Sequence, residues 1–273
     1  MSNTSDRDYV LGTGDEEIAR LGLQHSVWRE RVLECWRRAG IGAGSRVVDF
    51  GAGPGFATLD LAELVGANGE VIALERSARF AAHARAQLAA RGIAHARVHE
   101  LDLMTDALPA SGMDAAWCRW VASFVSSPKV LVEKIAGTLK AGGVAIFHEY
   151  AHYETWRMAP HGAAHAQFVQ QVMASWRASG GEPDIALQLP ALLLAAGFSI
   201  ERAEPRMFVA RPGEPGWRWP ASFIDINLRR LEELGRTDAA FSARVRAELA
   251  AAEADPATLL YTPLVLELVA RKT

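Results

Sequence analysis

The stretch Val47-Val48-Asp49-Phe50-Gly51-Ala52-Gly53-Pro54-Gly55 constrains the fold of this chain more than any other. A β-branched, apolar run ends there in closely spaced glycines, and apolar residues then recur at helical spacing from Phe56 to Val65. That pattern reads as a buried strand, a tight turn and a helix. A strand of this kind has no polar face, so it belongs inside a parallel sheet covered by helices on both sides.

The same alternation continues downstream. Gly69 interrupts the helix and Val71 to Leu74 reads as a second strand. Ser77 is placed to cap a helix running to about Arg91, closed by Gly92. Ala96 to Leu101 and Met113 to Cys118 read as strands three and four. Pro128 opens an amphipathic helix to Leu139, and Gly142-Gly143 leads into a fifth strand, Val144 to Phe147. Strands separated by helices imply an α/β, doubly wound architecture. After Tyr150 the rhythm changes. Glu154 to Ser179 carries Trp156, Phe168, Val172 and Trp176 at roughly helical spacing; a helix from Leu187 to Ala196 and a strand from Phe198 to Ala203 follow. A last strand is expected around Met207 to Ala210, and Trp217 to Thr273 reads as mostly helical. The expected organisation is an N-terminal helical lid segment (1–39), a core (40–150), a helical lid or substrate insertion (151–186), completion of the core sheet (187–212) and a C-terminal helical segment packing on both (213–273).

With 273 residues, half of them hydrophobic, the chain has enough apolar surface for one sizeable core. Its net charge of −3 and the lack of any Lys/Arg run longer than two give no electrostatic track for a phosphate backbone, so nucleic acid is not an expected partner. Cys35 and Cys118 are the only cysteines, with no CxxC and no structural-zinc spacing, and two free thiols are expected. His148-x3-His152 and His161-x3-His165 have helical ligand spacing but lack a third ligand, so no metal is expected. No signal peptide or membrane-length apolar run is apparent, and a cytoplasmic monomer or homodimer with no membrane partner is the expectation.

Gly51-x-Gly53-x-Gly55 alone says only that a cofactor's backbone or the chain's own comes close; NAD, FAD and S-adenosylmethionine (SAM) all use such a turn. Three carboxylates narrow the choice. Asp49 sits two residues before the first glycine, where it would repel a pyrophosphate but suits a donor carrying an ammonium and a sulfonium. The spacing also departs from GxGxxG. Glu75 closes the second strand, twenty residues after Gly55, where an acid can accept both ribose hydroxyls. Asp102 follows the third strand, placed to accept from an adenine amino group, with Leu103 beside it to pack on the ring.

Asp49-x-Gly51-x-Gly53-x-Gly55, Glu75, Asp102 and Lys140-Ala141-Gly142-Gly143-Val144 together resemble class I SAM-dependent methyltransferases, and most closely the small-molecule branch that includes the ubiquinone/menaquinone type. The resemblance implies a Rossmann-like, seven-stranded sheet with the last strand antiparallel, capped by a helical lid. It also implies SAM as cofactor, S-adenosylhomocysteine as product and a small-molecule methyl acceptor. In that family the glycine loop wraps the methionine part, which assigns Gly51, Gly53 and Gly55 to the cofactor along with Asp49, Glu75, Arg76, Asp102 and Leu103. Tyr9-Val10-Leu11-Gly12 and Arg20-Leu21-Gly22-Leu23-Gln24 resemble N-terminal lids, with Tyr9 and Gln24 candidates to touch the methionine end.

Methyl transfer from a sulfonium is an in-line displacement needing alignment and exclusion of water, with a general base optional. Loops after strands four and five face the methyl group in a doubly wound sheet. Arg119 and Trp120 follow the fourth and are expected at cofactor or acceptor. His148, Glu149 and His152 follow the fifth as candidate catalytic residues: either histidine as a base near neutral pH, Glu149 as its orienter or as a cation ligand. Eight tryptophans suit an aromatic or otherwise apolar acceptor, though core packing uses the same residues. Two other functions keep the sheet: a nicotinamide-dependent oxidoreductase, disfavoured by Asp49 and the loop spacing, and a SAM-binding protein with a regulatory or non-methylating role.

Overall fold

In a computed structural model the described residues are 13–273, so Tyr9 lies outside them. The first element is a long helix, α1 (Asp15–Arg38). The predicted alternation then appears as β1 (Arg46–Phe50), α2 (Phe56–Val65), β2 (Glu70–Glu75), α3 (Ala78–Ala90), β3 (Ala96–Glu100), β4 (Met113–Arg119), α4 (Pro128–Thr138) and β5 (Leu139–Tyr150). Ser77 caps α3 by accepting from Phe80 N, and Ser127 caps α4 with Pro128 in its first turn. Beyond β5 come β6 (Arg157–Ala159), α5 (Ala163–Ala178), α6 (Leu189–Ala195), β7 (Phe198–Arg206), β8 (Val209–Ala210), α7 (Pro215–Glu233), α8 (Ala239–Ala254), β9 (Leu259–Tyr261) and β10 (Val265–Lys272).

Seven strands form one sheet in the order β3-β2-β1-β4-β5-β10-β7. The first five are parallel, and β10 runs antiparallel to both β5 and β7. The fold is therefore a Rossmann-like seven-stranded sheet whose last strand is antiparallel. The order reverses between β1 and β4, and a crevice opens at the carboxyl ends of the strands there, as doubly wound sheets require.

One expectation needs correction. The seventh strand is Val265–Lys272, not Met207–Ala210, and the segment 213–273 is not helical throughout. Between β5 and β7, Val265, Leu268, Val269 and Ala270 are buried on both faces. Such a strand shows no alternation, so its apolar run cannot be told from a buried helix by period. Val209–Ala210 instead joins β6 and β9 in a second antiparallel sheet, order β6-β9-β8. That small sheet ties together three segments that read as separate: the insertion after β5, the chain after β7 and the C-terminal stretch.

The apolar core divides between the two faces of the main sheet. One face packs Trp28, Trp36, Trp117, Phe168, Trp217 and Trp219 between the strands and α1, α5 and α7. The other packs Phe50, Leu74, Phe147, Leu131 and Ile135 under α4 and α6. Full burial of side chains this large contributes about 1.5–3 kcal/mol each. The helices on the first face close over the crevice and set what lies above the glycine turn.

Candidate active site

The crevice holds a cavity of about 510 Å³. Its lower end is built from strand ends. Asp49, Gly51, Ala52, Gly53 and Pro54 come from β1 and its turn, Glu75 and Arg76 from β2, and Asp102, Leu103, Met104 and Thr105 from the chain after β3. The turn is shaped by two glycines where any side chain would be strained and would force a neighbour to move. Gly51 has φ +65°, and a Cβ there would stand 2.3 Å from the Val121 side chain. Gly55 has φ +90°, and a Cβ there would stand 2.6 Å from that of Ala84. Gly51 therefore lets the turn pass the loop after β4, whereas Gly55 lets α2 pack on α3 and does not itself line the cavity.

Each acid is held by a separate device. Asp49 is almost fully buried and accepts a 2.6 Å hydrogen bond from the Thr58 hydroxyl. Burial pushes its pKa up to about 7, against the pull of Thr58 and of Arg119. Glu75 accepts from the backbone N–H groups of Gly53 at 2.7 Å and Ser77 at 2.8 Å. Burial raises its pKa and those donors oppose the rise. The Arg76 backbone also donates to this carboxylate, which is thereby fixed in orientation with a lone pair left to accept again. Asp102 uses Oδ1 to accept from Met104 N at 2.7 Å, leaving Oδ2.

The upper end is aromatic. Trp120, Tyr150, Phe124, Trp176 and Phe223 line it, with Arg20, Leu21 and Gln24 from α1. Trp120 has a left-handed backbone, φ +53°, and its N–H donates to His148 O at 3.0 Å. Holding a bulky residue there costs about 1–3 kcal/mol, offset by ring packing. Its indole stacks between Tyr150 (centroids 5.4 Å apart) and Trp219 (5.8 Å). Arg20 is immobilised by a double hydrogen bond to Glu17 (2.6 and 2.7 Å), by Gln24 (3.0 Å) and by stacking over Phe223 at 3.9 Å. Gln24 Oε1 also accepts from Trp219, so its amide nitrogen is the group it can offer a ligand.

Arg119 lies where the two ends meet. Its Nη2 donates to His25 Nδ1 at 3.0 Å, while Nη1 is buried with no partner. Burial lowers its pKa to about 10, and Asp49 is the largest opposing influence.

The three candidate catalytic residues do not line the cavity, which corrects the expectation for each. His148 shares a sheet face with Tyr150 but lies two residues deeper, sealed by Trp117 (centroids 4.8 Å) and Trp28 (6.1 Å). Its Nε2 bonds Glu267 of β10 at 2.9 Å, and both side chains are fully buried. Burial lowers the His148 pKa; it would raise that of Glu267, but the hydrogen bonds from His148 and Arg206 outweigh it and bring Glu267 down to about 2. Glu149 points to the opposite face. It accepts from Val121 N, Ala122 N and Ser123 Oγ at 2.7–2.9 Å, pinning the loop that carries Phe124. His152 is exposed, past the strand end, beside Glu154.

Neither histidine pair converges. His161 bonds Asp255, while His165 is buried against Trp156. Among the described residues Cys35, His148 and Glu267 do come together, their donor atoms within 4.8 Å, but Arg206 already neutralises Glu267 there. Both cysteines are free and buried. No helix among the described residues is long and apolar enough to cross a membrane.

Sequence reasoning placed Arg20 and Trp176 in lid segments without a site role, and gave none to Phe124, Tyr150 or Phe223. Tyr150 had a usable signal, as the last residue of its strand. The others come from separate helices and loops and carried none beyond being aromatic or basic.

Residues 47–143 match a family described as a methyltransferase domain. No curated protein matches by sequence. Solved structures share the fold. The [4+2]-cyclase SpnF is 22% identical, with a TM-score of 0.53 over 87% of this chain and 78% of that one. A putative methyltransferase from Bacillus halodurans C-125 is 14% identical, with a TM-score of 0.58 over 88% and 97%. A geranyl diphosphate methyltransferase in complex with GPP and sinefungin is 15% identical, with a TM-score of 0.53 over 85% and 72%. Residues 47–143 are thus similar to a methyltransferase domain, and the chain shares its fold with proteins described as methyltransferases and with a cyclase.

Proposed function

We propose that this chain is a SAM-dependent methyltransferase acting on a small, largely apolar and planar organic acceptor. The observation that carries the reading is the continuity of one cavity from three strand-end carboxylates into an aromatic chamber. Its volume lies in the range of ordinary ligand pockets. The residues fit the cofactor on three counts. The Gly53 Cα faces open space where a Cβ would intrude. Glu75 is oriented with a lone pair to spare. Arg119 keeps an unpartnered N–H pair for an anion.

In this reading Glu75 accepts the ribose hydroxyls, Asp102 Oδ2 and Leu103 take the adenine, and Arg76 flanks them. Asp49 faces the ammonium, Arg119 the carboxylate, and the Gly51–Gly53 backbone lies along the methionine chain, with Gln24 above it. When bound, SAM supplies an electrophilic methyl group on a sulfonium. Trp120, Phe124, Tyr150 and Trp176 hold the acceptor's flat face and keep water out, so rate comes from alignment and desolvation. The Tyr150 hydroxyl can donate to an acceptor oxygen; burial raises its pKa well above the ordinary value, so it stays protonated.

Titration with S-adenosylhomocysteine, followed by mass spectrometry of an acceptor panel with labelled SAM, tests this. Binding of S-adenosylhomocysteine and a labelled methyl product are expected. Affinity for NAD(P) without affinity for S-adenosylhomocysteine would sink the cofactor reading. Tight binding with no transfer to any acceptor would favour a non-methylating role, a use of this fold that the cyclase shows to exist.

A further inference from the structure

We propose that His25 of α1 is a positioning residue, which holds the Arg119 guanidinium in place for the methionine carboxylate of the cofactor; this rests on the methyltransferase reading above. His25 is buried, and it does not line the cavity. Its role follows from a chain of contacts. Asp60 of α2 receives Arg29 Nε across both oxygens (3.0 Å from Oδ1, 2.8 Å from Oδ2), and its Oδ2 also faces His25 Nε2 at 3.0 Å. His25 Nδ1 in turn faces Arg119 Nη2 at 3.0 Å. A guanidinium only donates and a carboxylate only accepts, so the geometry assigns the tautomer. Nε2 carries the proton, given to Asp60, and Nδ1 offers its lone pair to Arg119.

A free arginine side chain carries more rotamer entropy than most. With Nη2 anchored and the Phe56 ring stacked on His25 at 5.9 Å, that freedom is removed before a ligand arrives. Nη1, buried and unpartnered in a guanidinium that feels the Asp49 charge, is left as the group to meet an anion. The same helix presents Arg20, Leu21 and Gln24 to the cavity. Seating α1 on α2 and preparing Arg119 are thus one event.

The arrangement needs a neutral imidazole. A proton on Nδ1 would turn the acceptor into a donor facing a cation. The charged groups around His25 are Asp60, Arg29 and Arg119. Burial is the largest influence and lowers its pKa below the ordinary 6.5, with Asp60 opposing and both arginines adding to the fall. The contact therefore persists through neutral pH and fails on the acid side.

The test compares binding of S-adenosylhomocysteine with binding of methylthioadenosine, which lacks the amino-acid end, in wild type and three variants. Arg119→Ala should lose about tenfold or more for S-adenosylhomocysteine and little for methylthioadenosine. His25→Asn sets Oδ1 where Nδ1 stands; it should keep affinity within about threefold and abolish the fall below pH 6.5 that depends on His25. His25→Gln reaches toward Asp60 but offers Arg119 no acceptor, and should lose about five- to tenfold for S-adenosylhomocysteine alone. Equal losses for Asn and Gln, or losses shared by methylthioadenosine, would overturn the positioning role while Arg119→Ala still reports the carboxylate contact. Wild type binding neither ligand would instead overturn the cofactor reading beneath it.

Discussion

The two ends of the cavity are made in opposite ways. The lower end comes from the tips of β1, β2 and β3, three parallel neighbours, and each tip contributes one carboxylate: Asp49, Glu75, Asp102. The upper end is assembled from α1, the loop after β4, the tip of β5, α5 and α7, which meet only in the folded chain. A site built from consecutive strand ends inherits its geometry from the sheet, and hydrogen-bonded register fixes it. A site built from distant helices depends on packing and on the anchors beneath it. Ligand chemistry should therefore dominate mutations at the lower end, and stability should dominate mutations of the anchors at the upper end.

The largest effect expected from that contrast is at Glu149. Glu149→Ala orphans two backbone N–H groups and the Ser123 hydroxyl in the interior. Three unsatisfied buried groups should cost about 3–5 kcal/mol, read from equilibrium unfolding in urea. Glu149→Gln keeps an acceptor and should lose much less. The pH dependence has a definite sign. Burial raises the folded pKa of Glu149 from 4.5 to about 7, so its favourable contribution is complete below 4.5 and lost as pH rises through 7. The Gln variant should then be penalised more at pH 5 than at pH 8. A Glu149→Ala protein with wild-type stability and slower turnover would break the comparison, returning Glu149 to chemistry.

At the lower end the order reverses. Glu75→Ala should weaken S-adenosylhomocysteine binding by about 1–3 kcal/mol, measured by calorimetry. Asp102→Ala should cost less, about 1 kcal/mol, because Asp102 is only partly buried and one of its oxygens is spent on Met104 N. Equal losses would mean that the two ends of the adenosine are held alike, against the difference in burial.

What the sequence disclosed follows the same division. Strand ends leave a local signature, an apolar run and then an acid or glycine, so the five parallel strands and their three carboxylates were legible from Val48-Asp49, Leu74-Glu75 and Leu101-Asp102. Depth within a strand left none. His148 and Tyr150 share a face, but whether the cavity begins at one or the other depends on Trp28, contributed by α1 over a hundred residues earlier. Trp176 and Phe223 show the same limit: their helices were expected, one in the insertion and one in the C-terminal segment, yet those segments are tied together by the β6-β9-β8 sheet, whose strands are two or three residues long. Strands that short carry no readable period. β10 was hidden for the converse reason, since burial on both faces removes the alternation that marks a strand.

A smaller effect sharpens the picture at Asp49. Its pKa in the free protein is raised to about 7, and a bound ammonium would favour the carboxylate and pull that value down. Binding S-adenosylhomocysteine should then release a proton below pH 7 and none at pH 8, detectable by calorimetry in buffers of different ionisation enthalpy. The contribution of Asp49 to affinity should rise by up to about tenfold per pH unit until pH 7 and level off above it. Asp49→Asn should flatten that limb. A wild-type profile without it would place the ammonium elsewhere.

The smallest effect belongs to His152. It is more than half exposed, meets Glu154 at 3.3 Å in solvent, and lies outside the cavity. His152→Ala should leave unfolding free energy within about 0.5 kcal/mol and the rate of methyl transfer unchanged. The value of the measurement is in the pH–rate profile. The ionisable groups on the cavity wall are arginines, three carboxylates and Tyr150, with no imidazole among the described residues that line it. With the three carboxylates given to the cofactor in the proposed reading, the expected acceptor is ionised already or reacts without losing its proton first. If His152→Ala shifts the alkaline or acidic limb of turnover, a lid movement brings that imidazole inward and the upper end of the cavity is completed only in the closed enzyme. If the limbs stay fixed, the pH dependence belongs to the acceptor, to Asp49 and to His25, and the acceptor's own pKa is read once the Asp49→Asn and His25→Asn profiles are known.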